Sequence, residues 1–381
     1  MNDAYSLPEG KLTLQITNDI AADDYFLVAA RENPKRAFLF VSKKLGKHLP
    51  ILPSTMLATQ QTLAEKIPTS AEPILFIGMA ETATALARGV YQAWLNQHQD
   101  IKSLYIDTTR YHLKDYERLN FEEQHSHAPS IGLHIPQGDQ AQLFFNAQTL
   151  VLIDDELSTG NTFINLIKRL QMRGLTFKKV IILSITDFSA DYREQMKTAL
   201  TPLKLHWYSL LQGKWHYQAE RQIAPVTEAA QGKSVNVIPH AFSARTGCQQ
   251  ALQWTEIQQE TVKSWLKPNR RLLVLGTGEF MFAPYQLALL AETLGADVRF
   301  CATTRSPIRC WGAIEKRDTH SDPYGEGISN YLYNYAREAY DAVWLVSELS
   351  PNPDLLSLAQ QLDAQLITLT AEGNLANHSL C

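Results

Sequence analysis

Residues 151–162, VLIDDELSTGNT, narrow the possible folds more than any other stretch of the chain. Four apolar residues, Leu150 through Ile153, run directly into two adjacent acids, Asp154 and Asp155. A turn rich in Ser, Thr and Gly follows. Apolar periodicity then predicts a helix over 161–173, with Gly174 at its stop. A buried strand that turns sharply into a helix is the unit of an α/β sheet. In such sheets ligands sit at the carboxyl ends of the strands.

The turn has the chemistry of an anion cradle. Gly160 allows a tight turn that gathers backbone N–H groups. The hydroxyls of Ser158, Thr159 and Thr162, with Glu156 and Asn161 alongside, complete the candidate loop. The positive end of the helix dipole favours a phosphate there. Two acids beside a phosphate make sense if they face the next part of the ligand. A sugar diol donates strong hydrogen bonds to carboxylates. Carboxylates also stabilise positive charge building on a ribose ring as its leaving group departs.

With Asp154, Asp155, Thr159, Gly160 and Thr162 in these places, the segment resembles the phosphoribosyl pyrophosphate signature of type I phosphoribosyltransferases. The resemblance implies a Mg²⁺-dependent pentosyltransferase, with Mg²⁺ held mainly by the ligand and Asp154 and Asp155 as available protein donors. No P-loop motif occurs, which argues against a nucleoside-triphosphate hydrolase.

Two further segments fit the same family. The strand ILFIG (74–78) runs into Met79, Ala80, Glu81 and Thr82, then a helix over 80–97. In type I enzymes such a loop holds pyrophosphate, which implies that role for Gly78 through Thr82. Glu81 would repel pyrophosphate. Its role is open between capping the helix, contacting a metal-bound water and meeting an amine of the acceptor. The polar stretch 109–130 lies where the family has a loop that closes over the site, excluding water. Arg110 would neutralise leaving pyrophosphate, and His125 or His127 would exchange a proton. Metal binding by the two histidines, or simple solvation, stays open. The basic flanks of strand 37–42 (Lys35, Arg36, Lys43, Lys44, Lys47) read first as solubilising, with a polyphosphate site as the alternative.

The 381 residues suggest two domains. Strands at 37–42, 74–78, 104–108, 149–154 and 180–186 alternate with helices and predict a parallel sheet. Aromatic residues 203–218 read as two short strands around Gln212 and Gly213, with a homodimer interface as one use. Periodicity fades over 221–250, the expected linker between a first domain at 1–220 and a second at 251–381. There a helix at 255–266 and strands at 272–276, 297–303, 342–347 and 365–370 form a smaller α/β unit. No internal repeat is evident. A formal charge of −4 gives no reason to expect nucleic-acid binding. Neither a leader peptide nor a membrane span is recognisable, and the four scattered cysteines suggest reduced thiols, so the expected setting is the cytosol.

The segments at 33–50, 78–83 and 121–128, the signature, and Thr304-Arg305-Ser306-Pro307 together resemble a subgroup of bacterial phosphoribosyltransferase-like proteins. These carry a C-terminal TRSP domain and are often linked to tellurite-resistance gene clusters. The implied fold is a type I phosphoribosyltransferase-like parallel sheet with a hood and flexible loop, followed by a smaller Rossmann-like α/β domain. The implied partners are phosphoribosyl pyrophosphate and an unidentified small-molecule acceptor. In the second domain, Gly276, Thr277, Gly278 and Glu279, with Thr304, Arg305 and Ser306, read as a second site for a phosphorylated or nucleoside-like ligand. A sensor that binds the activated sugar without turning it over is the alternative to catalysis.

Overall fold

The computed structural model describes residues 2–31, 33, 36–69, 72–121, 131–221, 236–240 and 242–378. Five strands of the first sheet run parallel, and in all but Lys204–Ala219 apolar runs bury both faces. In space they lie in the order Lys204–Ala219, Lys179–Asp187, Thr149–Leu157, Ile74–Gly78 and Ser103–Asp107. An antiparallel hairpin, Asn2–Leu7 and Gly10–Ile16, extends the sheet beyond Lys204–Ala219. Alternate residues of each strand feed two cores. Leu75, Ile77, Leu150 and Leu152 pack with the helix Asn161–Met172. Phe76, Val151 and Ile153 pack with the helix Thr84–Leu95. Each such aliphatic side chain contributes about 1.5–3 kcal/mol on burial. Helix Asn161–Met172 ends as expected at Gly174, whose φ is +98°. The N–H groups of Gly174 and Leu175 bond back to the carbonyls of Gln171 and Leu170.

Two expectations need correction. The stretch 203–218 is not a pair of strands. It is one long strand, Lys204–Ala219, parallel to Lys179–Asp187 in its first half and antiparallel to Gly10–Ile16 in its second. Gly213 marks the change of partner: a Cβ there would lie 2.7 Å from the Gln15 carbonyl oxygen. Strand Phe38–Ser42 is outside the parallel sheet. It pairs antiparallel with Phe26–Arg31, which in turn pairs with Ile308–Gly312 from far along the chain. That small sheet joins the two halves of the molecule.

The second parallel sheet has strands Asp297–Ala302, Arg271–Gly276, Ala342–Ser347 and Gln365–Leu369, in that spatial order, with antiparallel Leu375–His378 at its edge. Number the parallel strands of each sheet along the chain. The first sheet then reads 2-1-3-4-5 and the second 2-1-3-4. The two sheets thus share their strand order, although the sequence shows no repeat. In both sheets the order reverses between strands 1 and 3, where α/β proteins bind ligands. Part of the 221–250 segment also packs closely. Tyr105 and Cys248 exchange backbone hydrogen bonds, and the Asp107 N–H bonds to the Ala244 carbonyl, so this segment lines the edge strand of the first sheet. Among the described residues, no helix is long and apolar enough to cross a membrane.

Candidate active site

Parallel pairing of Thr149–Leu157 with Ile74–Gly78 sets Ile153 opposite Gly78. The two candidate loops therefore leave the sheet side by side, and the Met79 N–H donates to the Ile153 carbonyl at 3.0 Å. Gly78 is required here, because an added Cβ would lie 2.2 Å from the Tyr105 hydroxyl oxygen. Thr108 ties the loop down. Its N–H donates to the Gly78 carbonyl at 2.9 Å, and its Oγ1 accepts from the Ala80 N–H at 2.8 Å. The Ala80–Glu81 peptide is cis.

On the other side, Asp154 and Asp155 sit half-buried at the end of their strand. Burial pushes both carboxyls above the usual carboxylate range, and the charge of Asp155 adds to the rise at Asp154. Gly160 follows with φ +76° at the start of the helix. Ser158 and Thr159 are half-buried, while Asn161 and Thr162 are exposed at the helix start. The signature residues are thus brought together around one helix N-terminus. Glu156 is turned to another use. It forms a two-pronged ion pair with Arg36 at 2.7 and 3.0 Å, and the guanidinium lies 4.5 Å from the Phe38 ring centroid and 5.7 Å from that of Trp215.

Glu81 is not a lone repulsive charge. It lies 2.9 Å from Lys47 Nζ and 3.0 Å from the Arg110 guanidinium. Burial alone would push its carboxyl up, but these two cations outweigh that and hold it below the usual range. Lys47 is 1% exposed, so the solubilising reading fails for this residue. Its ammonium also donates to the Gly278 carbonyl at 2.8 Å, joining the second domain to the pyrophosphate-side loop. Arg31 ends the strand Phe26–Arg31. Burial, then the charges of Arg36 and Arg110, lower its pKa, so its surroundings are already positive. Sequence reasoning missed Arg31 and undervalued Lys47, since nothing in a run of basic residues marks the ones that fold inward.

The second-domain candidates face this cluster. Glu279 accepts from Thr109 Oγ1 at 2.5 Å and from the Arg110 N–H at 3.0 Å. The Thr304 hydroxyl helps to hold the Glu81 carboxyl low. Thr277 approaches Tyr324 and Ser347, Arg305 pairs with Glu326 at 2.7 Å, and Thr304 Oγ1 accepts from the Ser306 N–H. Behind them Arg245 and Glu348 form a buried two-pronged pair at 2.7 Å, and Tyr111 stacks on Tyr324 with ring centroids 4.5 Å apart. Gly278 and Glu279 therefore meet the first domain, at Lys47, Thr84, Thr109 and Arg110. Arg118–Asn120, within the 109–130 stretch, pairs antiparallel with Gly132–His134, just beyond it. His125 and His127 lie outside the described residues. Among the described residues, no cluster of three or more His, Cys, Asp or Glu is arranged to hold a metal.

Comparison with known proteins agrees with these features. A family model described as phosphoribosyl transferase matches residues 25–214, and the TRSP domain found C-terminal to it matches 243–364. The chain belongs to the TRSP-bearing phosphoribosyl transferases. The family is one of pentosyltransferases. Solved structures similar to this chain include the adenine phosphoribosyltransferase of Trypanosoma brucei, crystallised with AMP, pyrophosphate and ribose 5-phosphate. It has 12% identity and a TM-score of 0.36, with 54% of this chain and 86% of that chain covered. The Leishmania donovani adenine phosphoribosyltransferase has 15% identity and a TM-score of 0.33, covering 49% and 77%. The orotate phosphoribosyltransferase of Aeropyrum pernix has 16% identity and a TM-score of 0.28, covering 46% and 79%. No curated protein was found to match the chain.

Proposed function

We propose that the chain displaces pyrophosphate from C1 of phosphoribosyl pyrophosphate with a nitrogen of a base-like acceptor, or runs the same exchange in reverse. One observation carries the reading: an acid pair suited to a ribose diol and a cation-flanked loop suited to pyrophosphate leave adjacent strand ends. In this reading the Ser158 to Thr162 turn binds the 5′-phosphate, while Asp154 and Asp155 accept from the ribose hydroxyls and stabilise positive charge on the ring. The Gly78 to Thr82 loop, with Arg110 and Arg31, binds the pyrophosphate, and the buried Lys47 supports that loop through its pair with Glu81. Glu81 keeps Arg110 aimed in the absence of ligand.

The half-buried carboxylate pair offers hard oxygen donors that suit Mg²⁺, whose charge would relieve the repulsion between them. When bound, Mg²⁺ supplies charge neutralisation to the leaving pyrophosphate. The second ligand expected at Gly276 to Glu279 and Thr304 to Ser306 is left out of the reading, because Thr277, Glu279 and Thr304 are buried against other side chains. A reducing, cytosolic setting is supported by the unbridged Cys248, Cys301 and Cys310. Titration calorimetry with phosphoribosyl pyrophosphate and Mg²⁺ tests the site. Saturable binding that drops more than about 100-fold in Asp154→Asn/Asp155→Asn is expected, since two charged hydrogen-bond acceptors are lost. Equal binding by the double variant contradicts it.

A further inference from the structure

The two domains share more than strand order. Strand 1 of the first sheet ends in Gly78-Met79-Ala80-Glu81 and strand 1 of the second in Gly276-Thr277-Gly278-Glu279. Strand 2 is followed by Thr108-Thr109-Arg110 in one and Thr303-Thr304-Arg305 in the other. The hydrogen bonds correspond. The Thr108 and Thr303 N–H groups donate to the Gly78 and Gly276 carbonyls at 2.9 and 3.1 Å. The Ala80 and Gly278 N–H groups donate to Thr108 and Thr303 Oγ1 at 2.8 and 3.0 Å. The Tyr111 and Ser306 N–H groups donate to Thr109 and Thr304 Oγ1 at 3.1 and 3.2 Å. Thr109 bridges to Gly132 and Thr304 to Tyr331. At strand 3 the likeness stops. Ser347-Glu348 stands where the first domain has its two acids, and Ser350-Pro351-Asn352-Pro353 replaces the Ser-Thr-Gly-Asn-Thr turn. Pro353 lacks the N–H that a phosphate cradle uses.

The equivalent loops interlock. Glu279 reaches the Thr-Thr-Arg turn of the first domain, accepting from the Thr109 hydroxyl and the Arg110 N–H, and Thr304 of the second domain's turn helps to hold the Glu81 carboxyl low. Of these two turns, only that of the first domain lies beside a signature loop. Its Arg110 guanidinium keeps one-fifth of its surface open. The turn itself is buried, with Thr109 fully covered.

Resting on the function proposed above, we propose that Glu279 is a positioning residue through which the second domain, a repeat of the first without its phosphate loop, holds the Thr109–Arg110 turn in its pyrophosphate-binding conformation. The second domain thereby works as a built-in brace for the first domain's site. The carboxylate acts on the backbone N–H and hydroxyl of that turn.

The full chain is titrated separately with Mg²⁺-pyrophosphate and with ribose 5-phosphate. In Glu279→Gln, pyrophosphate binding is expected to weaken about tenfold, as for loss of a charge-assisted hydrogen bond, while ribose 5-phosphate binding stays within about twofold. Glu292→Gln is the control. It loosens another cross-domain carboxylate, which accepts from the Ser54 N–H and hydroxyl at 2.7 and 2.8 Å in the contact between Pro53–Ala64 and Phe282–Thr293. It should leave both affinities unchanged. Should Glu279→Gln fail to fold, Thr109→Val removes the donor instead and carries the same expectation. Unchanged or tighter pyrophosphate binding in the Glu279 variant overturns the inference, as does an equal loss in Glu292→Gln. If the wild-type chain binds neither probe, the proposed function falls first and this inference with it.

Discussion

Asp154 and Asp155 place two acids where burial and mutual repulsion disfavour their charge. Their folded pKa values lie above the unfolded ones, so between the two the folded chain keeps protons that the unfolded chain releases. Stability contributed by these groups is therefore present at low pH and falls as pH rises out of the ordinary carboxylate range. Asp154→Asn should raise the melting temperature at pH 7 and leave it nearly unchanged near pH 3.5, while abolishing sugar binding. Each ~1 kcal/mol relieved is worth about 2–4 °C in a domain of this size. A melting temperature that falls at pH 7 would show that the acids stabilise the fold. At this scale the sequence was highly informative for Asp154, Asp155 and Gly160, whose order and spacing carry their chemistry. It left the role of Glu81 open. A carboxylate in a pyrophosphate loop is explained only by Lys47 and Arg110, and those contacts depend on folding.

Among the elements, the turn into helix Asn161–Met172 depends most on one residue. Gly160→Ala forces a side chain into the left-handed region, costing about 1–2 kcal/mol, and sets its Cβ 2.3 Å from Met196 Sδ. Ribose 5-phosphate affinity should fall more than about tenfold, a change equivalent to ~1.4 kcal/mol. Adding Met196→Ala should recover only the steric part. Gly174→Ala also demands a positive φ but meets no atom within 4 Å, so it should lower stability and leave affinity intact. Loss of binding in both glycine variants would deny Gly160 a special role. Periodicity made this helix and its strand legible. The Lys204–Ala219 strand was not, because its halves pair with different neighbours and Gln212-Gly213 reads locally as a turn. Strand Phe38–Ser42 was recognisable as a strand, but its antiparallel partner Phe26–Arg31 and the distant Ile308–Gly312 were not.

Across the whole molecule, a buried charge pair fixes the segment that lines the first sheet's edge strand to the second domain. Arg245 and Glu348 are 3% and 4% exposed and two-pronged. Arg245→Met should cost about 3–5 kcal/mol in urea unfolding, because Glu348 is left buried and unpaired. Arg245→Met/Glu348→Leu should recover most of that, and an equally unstable double variant would assign the loss to packing. The repeat within the chain escaped sequence reading because only Gly-x-small-Glu and Thr-Thr-Arg survive in common. Such short matches acquire meaning once both are seen after strands 1 and 2 of like-ordered sheets. The central claim is transfer from phosphoribosyl pyrophosphate, and its most direct test is pyrophosphate release by the purified chain with Mg²⁺ and a pooled extract of nucleobases and small metabolites. The account predicts release that requires the extract and disappears in Asp154→Asn/Asp155→Asn. Saturable phosphoribosyl pyrophosphate binding with no release from any extract would contradict catalysis and favour a sensor, and no binding at all would contradict the site itself.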